Sequence, residues 1–160
     1  MLVSDAVTVR IVMERLSRDD CANGFVLDGF PRNVQQAASL DEILDSMGTR
    51  IDVIINILLD DENIISRITG RSVCSQCGEV FHLEAKPPLR DGLCDICEGV
   101  LFRREDDTVE IVRNRLSIYH QQTKPVLDYY LGTTHMVLVQ SCKDIDDTTT
   151  GVFAALGIST

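Results

Sequence analysis

Four of the six cysteines in this chain fall into two pairs, Cys74-x-x-Cys77 and Cys94-x-x-Cys97, with sixteen residues between the pairs. Thiolates with two residues between them can reach one ion from a single turn, and two such pairs complete a tetrahedral Zn2+ site. Four protein ligands leave no open position for substrate, so a zinc held this way is structural. Four unligated cysteines are the bland alternative, which the paired spacing disfavours. A redox CxxC opens a helix after a strand, and neither pair does. Cys21 and Cys142 stand alone, and His82 reads as an orienting or surface group rather than a fifth ligand.

A second concentration of chemistry lies in FVLDGFPRNVQQ, residues 25–36. An apolar run ends in Asp28, Gly29, Pro31 and Arg32, with Gln36 four residues after the arginine. Ligands of open α/β sheets bind beyond the carboxyl ends of the strands. An aspartate there orients a hydrated Mg2+ beside nucleotide phosphates. Glycine admits close approach of the backbone, the arginine offers a fork to phosphate, and the Gln36 amide both donates and accepts at a base edge. An ordinary strand–turn–helix with Asp28 as a cap would explain Asp28 and Gly29, but would leave Arg32 and Gln36 as accidents.

Formal net charge is −10, which argues against broad binding to nucleic acid or membrane surfaces. Yet 12 of the 15 cationic side chains are arginine. Arginine grips phosphate bidentately, so the positive charge is either gathered at one anionic ligand or scattered in surface ion pairs. No apolar run approaches the length of a membrane span, and the first residues lack the pattern of a signal peptide.

The elements that must position these groups alternate between helix and strand. Residues 5–18 carry Val9, Val12, Met13 and Leu16 at helical spacing, with Ser4 as N-cap. Phe25–Leu27 reads as a short buried strand, and Val34–Met47 as a helix ended by Gly48. IDVIINILL, residues 51–59, has the β-branched, wholly apolar character of a parallel strand covered on both faces. Asp61 caps a helix running to about Arg71, which would place Arg67 and Arg71 on one face. Residues 72–103 lose all helical period. Residues 108–131 return to a long helix that Pro125 kinks or breaks. A third strand at 135–140 and a helix at 144–156 follow. This order predicts an α/β parallel sheet with the cysteine segment as an inserted subdomain.

FVLDGFPRNVQQ resembles the signature of adenylate kinases, in which an apolar strand leads into Asp-Gly-Phe-Pro-Arg and a Gln follows four residues after the Arg. DENIISRITGR resembles the helix leading into that family's lid. The CxxC pairs resemble the zinc-bearing lid of many bacterial members. REDDTVEIVRNRL and YHQQTKPVLDYY resemble the stretch after it. The resemblance spans essentially the whole chain. It implies an α/β fold of P-loop-kinase type, a parallel sheet with flanking helices, incomplete at the N-terminus. The division it implies is a partial core over 1–71, a zinc-binding lid over 72–105 and the remainder of the core over 106–160.

The resemblance also implies a function, reversible phosphoryl transfer between ATP and AMP to give two ADP, with Mg2+ accompanying ATP and a structural Zn2+. It assigns Arg67, Arg71, Arg104 and Arg115 to the phosphates in transit, and these four with Asp28 are the expected catalytic residues. AMP would be held by Met1, Leu2, Val3, Gly29, Phe30, Pro31, Arg32 and Gln36, with Arg104 and Arg115. ATP would be held by Arg67, Arg71, Val80, Phe81 and Lys143, although the family's Gly-containing turn before that lysine reads Gln140-Ser141-Cys142 here. A cytoplasmic monomer is expected. The chemistry suits these residue types, because phosphoryl transfer needs alignment and charge compensation more than covalent help. Arg103 and Arg113 read as solvated surface charges.

One part of the family pattern does not occur in these residues. The glycine-rich phosphate loop G-x-x-x-x-G-K-[ST] requires a Gly-Lys pair, and the sequence contains none. The first residues already match the segment just before the family's Asp-Gly-Phe-Pro-Arg strand. The expectation is therefore an N-terminally truncated chain, inactive alone. The alternatives are a non-catalytic zinc-binding remnant that holds AMP or a partner chain, and a zinc-ribbon nucleic-acid binder, which the charge disfavours.

Overall fold

Asn33 opens a helix by accepting the backbone N–H of Gln36 on its side chain at 2.8 Å, and Gly48 closes it at φ +69°. This helix organises one of two compact units in the computed structural model, which describes residues 3–142 and 144–158. The first unit is the chain up to Ile54 together with Ile118–Met136; the second is Ile55–Ser117 with the chain from Val137 onward.

In the first unit, α1 (Asp5–Leu16), α2 (Val34–Ser46) and α5 (Lys124–Tyr130) carry the helical structure. Leu16, Leu40 and Leu44 form one core cluster, against which Val12, Phe25, Leu27, Phe30 and Ile51 pack. Each fully buried Leu or Phe contributes about 1.5–3 kcal/mol by leaving water. Ala37, Val126 and Tyr130 form a second cluster with Ile54. The Tyr129 and Tyr130 hydroxyls both donate to the Asp41 carboxylate, at 2.9 and 3.0 Å, which satisfies their polar ends.

Three expectations for this region change. Ser4 occupies the N-cap position of α1, but its side chain makes no capping bond. The helix closes at Leu16, short of Arg18, whose N–H leaves the i→i−4 pattern and turns back to Arg15 O at 3.4 Å. Phe25–Leu27 is extended, with Phe25 and Leu27 against the core and Val26 92% exposed. It is not a ladder strand, since no strand among the described residues pairs with it.

In the second unit, β1 (Val53–Leu58, beginning in the first unit) lies beside β5 (His135–Gln140). Leu58 O accepts Ser141 N–H at 2.8 Å where both strands end, so the pair is parallel. The expected cover on both faces is not found, for Ile57 remains 51% exposed where β1 has β5 as its one ladder neighbour among the described residues. Helices α3 (Asp61–Thr69), α4 (Val109–Ile118) and α6 (Ile145–Ala155) complete the α/β arrangement. Asp60, not Asp61, caps α3 through Asn63 N–H at 2.9 Å. Ile65, Val112 and Leu116 form the core between α3 and α4. A Cβ added to Gly151 would lie 3.2 Å from Val139, so α6 runs close to β5.

The cysteine segment forms an antiparallel sheet in the order β3-β2-β4: β2 is Arg71–Cys74, β3 Val80–His82 and β4 Leu101–Phe102. Arg71 pairs with His82 and Val73 with Phe102. This corrects the helix expected to reach Arg71. α3 stops at Thr69 and the chain becomes a strand at Arg71, so Arg67 and Arg71 do not share a helix face. Pro125 acts as expected: α4 passes through a π-helical turn, Tyr119–Thr123, and α5 restarts with the proline in its first turn, where a missing N–H costs nothing. Among the described residues, no helix is long and apolar enough to cross a membrane.

Candidate functional site

The two CxxC pairs converge. The four sulfurs of Cys74, Cys77, Cys94 and Cys97 all lie within 4.8 Å of one another. Cys74 and Cys97 approach to 3.4 Å and Cys77 and Cys94 to 3.6 Å. A tetrahedron of sulfurs at Zn–S of about 2.3 Å has edges of about 3.8 Å, so the cluster has the dimensions for zinc. The backbone N–H groups of Gln76 and Ile96 point at Cys74 and Cys94 sulfur, each at 3.4 Å, the same arrangement in both knuckles.

Charge makes the same case. Backbone N–H groups of Cys77 and Gln76 hold the Cys74 thiol down to about 6. The Glu79 N–H favours a thiolate at Cys77, but the sulfurs of Cys97, Cys74 and Cys94 push it up to about 12. One thiolate forms readily and the next is resisted by its neighbours; a divalent cation removes that resistance. Around the sulfurs, Phe81 is 2% exposed, in a cluster with Cys74 and Cys94. Of the two β3 residues assigned to ATP, Val80 is 47% exposed while Phe81 is turned inward.

The four assigned arginines of this unit each have partners. Arg71 donates from Nε and Nη2 to Asp107, at 2.9 and 2.6 Å. Arg104 forms a fork on Asp106, at 3.0 and 3.1 Å, and Arg115 reaches the same carboxylate at 2.7 Å. Arg115 and then Arg104 hold the Asp106 carboxyl down to about 2. Arg67, in the last turn of α3, donates to Ser141 Oγ at 3.1 Å and Cys142 O at 2.5 Å. It therefore braces the turn after β5 that precedes Lys143, and Lys143 itself lies outside the described residues.

The strand-end motif belongs to the first unit. Asp28 is exposed and Gly29 sits at φ +71°, a conformation that favours glycine. A Cβ on Gly29 would lie 3.1 Å from Arg32 Nη2, and Arg32 Nε donates to Gly29 O at 2.7 Å. The guanidinium thus folds back over its own turn, past a cis Phe30–Pro31 bond. Gln36 is buried. Its Oε1 accepts Arg32 N–H at 2.7 Å and its Nε2 donates to Asp5 at 2.7 Å. Asn33 Nδ2 donates to the other oxygen of Asp5 at 3.0 Å. Val3 is exposed; Met1 and Leu2, also assigned to AMP, lie outside the described residues.

The adenylate kinase family model matches residues 1–135. The adenylate kinase of Caldicellulosiruptor bescii is 47% identical over 158 residues, 99% of this chain and 74% of that protein. This chain belongs to the adenylate kinase family. Two further adenylate kinases give the same answer. That of Staphylococcus epidermidis is 47% identical over 155 residues, covering 97% of this chain and 72% of its own. That of Thermosipho africanus is 46% identical over 145 residues, covering 91% and 68%.

Within this adenylate kinase family chain, sequence reasoning passed over three acidic residues that the assigned groups depend on. Asp106 and Asp107 hold three of the arginines, and their signal was a run of two basic and three acidic residues at 103–107. Asp5 lies 31 positions from Gln36, and no local pattern links the two. Asn33 was legible, since Asn followed three residues later by Gln is a capping signature. Here the Gln reaches Arg32 N–H rather than that of the cap residue.

Proposed function

We propose that this chain carries the monophosphate-binding turn, the zinc-bearing lid and the phosphate-facing arginines of an enzyme that interconverts ATP + AMP and two ADP. The observation that carries this reading is the gathering of Arg71, Arg104 and Arg115 on the neighbouring carboxylates Asp106 and Asp107, within one unit that also contains the cysteine cluster. Three guanidiniums so placed can compensate charge spread over phosphoryl oxygens. Residues 1–71 and 106–160 would be core and 72–105 the lid. Zn2+ on Cys74, Cys77, Cys94 and Cys97 would hold the lid's fold. Arg67 and Arg71 would face ATP with Val80, Phe81 and Lys143. Met1, Leu2, Val3, Gly29, Phe30, Pro31, Arg32 and Gln36 would form the AMP site. Mg2+ arrives with ATP and neutralises phosphate charge; the exposed Asp28 carboxylate is the residue that would orient its hydration shell. A monomer in a reducing cytoplasm suits free thiols and a net charge of −10.

The 160 residues contain no Gly-Lys pair, so a phosphate loop would have to be supplied to them for turnover. The arginines do not replace its cradle of backbone N–H groups. A second reading is a non-catalytic zinc protein that holds AMP or a partner chain, resting on the cysteine cluster alone. ADP formation from ATP and AMP is the deciding assay, run on these residues and on a chain extended by a family-like N-terminal segment, with Arg115→Ala as the dead control. Turnover only in the extended chain is expected. Turnover by neither, with AMP still bound in calorimetry, favours the second reading.

A further inference from the structure

We infer that His82 is a positioning residue whose imidazole, as the Nε2–H tautomer, clamps the cysteine-bearing sheet onto the last turn of α3. Its ring has polar partners on both sides. Nδ1 accepts the backbone N–H groups of Glu84 and Ala85, both at 3.1 Å. A nitrogen that receives two donors carries no proton itself. The proton is therefore on Nε2, which lies 3.3 Å from Ser66 O and donates to it. Ser66 O also accepts Gly70 N–H at 3.0 Å, so the ring takes the second lone pair of a carbonyl in the helix.

The space for the ring is provided by Gly70. Its φ is −83°, which any residue adopts, so backbone conformation does not require glycine here. A Cβ there would overlap the ring, with Cε1 at 2.8 Å. Leu83 N–H donates to Gly70 O at 3.0 Å, giving a backbone tie beside the ring. Ser66 is followed directly by Arg67, so the clamp fixes the sheet against the turn that carries that arginine. Its kinetic consequence rests on residues 72–105 being the lid over ATP; the clamp itself does not.

Three measurements on the zinc-loaded chain test it. Nitrogen NMR of labelled His82 is expected to show an unprotonated Nδ1 and a protonated Nε2; the opposite tautomer overturns the proposal without any variant. In His82→Asn the amide oxygen replaces Nδ1, so slow hydrogen exchange at Glu84 and Ala85 should survive. In His82→Gln it should accelerate about tenfold or more. Equal acceleration in both counts against the clamp. Gly70→Ala should speed exchange at Leu83 by a similar factor, but not in a His82→Ala background; the same effect in both backgrounds refutes the steric argument. In the extended, active chain, His82→Ala should raise KM for ATP more than KM for AMP. An unchanged KM for ATP, with the other results as expected, overturns the lid reading and leaves the clamp standing.

Discussion

Arg71 and Asp107 are joined by two hydrogen bonds, at 2.9 and 2.6 Å, and the Asp107 side chain is 1% exposed. Arg71 begins β2 and Asp107 precedes α4, so the pair ties the base of the cysteine sheet to the helix that follows it. Removing one member leaves a buried charge unpaired, which costs about 3–5 kcal/mol. Arg71→Ala should therefore destabilise the second unit by about that much in denaturant unfolding. Arg71→Lys should recover only part of it, because an ammonium cannot form the fork. A loss below about 1 kcal/mol in Arg71→Ala would show that the pair is not structural.

Asp106 provides a pH signature. Its carboxyl is held at about 2 by Arg115 and Arg104, below its ordinary value of 3.8. A depressed folded value means that the contribution to stability is complete above the ordinary value and is lost as pH falls through about 2. Carbonyl-detected NMR titration should find Asp106 still ionised at pH 3. Arg115→Ala should move its midpoint back toward the ordinary value; a midpoint unchanged by that substitution would remove Arg115 as the cause.

Protein purified without chelator should contain about one Zn2+ per chain by elemental analysis. Cys74→Ser should lower that content and expose residues 72–103 to proteolysis, since with zinc bound so small a sheet would take much of its folding free energy from the metal. Protein free of zinc yet equally resistant would contradict the assignment of the cluster.

In the extended chain, Arg32→Ala should weaken AMP binding roughly ten- to hundredfold and leave ATP binding nearly unchanged, the expected loss for a charge-assisted bond of ~1.5–3 kcal/mol. Calorimetric titration with each nucleotide checks it. An equal loss for both would mean that Arg32 acts through the fold of its turn, where Nε already holds Gly29 O.

The helices were legible because their signals are local: Gly48 ends α2, Asp144 precedes α6 and Pro125 marks the restart of α5. The cysteine cluster was legible for the same reason, through the spacing of its pairs. What could not be read depends on distant partners. Phe25–Leu27 has the composition of a strand, but ladder pairing is a property of two segments. Arg71 fits a helical spacing with Arg67, yet pairing with His82 places it in a sheet. The three short strands of that sheet lack periodicity, because their order is set by the two knuckles and their backbone bonds rather than by an apolar face.

The Gln36 side chain has its two ends committed, one to Arg32 N–H and one to Asp5 at the start of α1. An amide carries two N–H donors and two acceptor lone pairs, so each end keeps one position beyond the bond it already makes. What the committed positions do is join places far apart in the chain: the turn at Arg32 and the start of α1, 31 residues from Gln36 in sequence, hang on one side chain. Loss of that amide would loosen the turn and the first helix together.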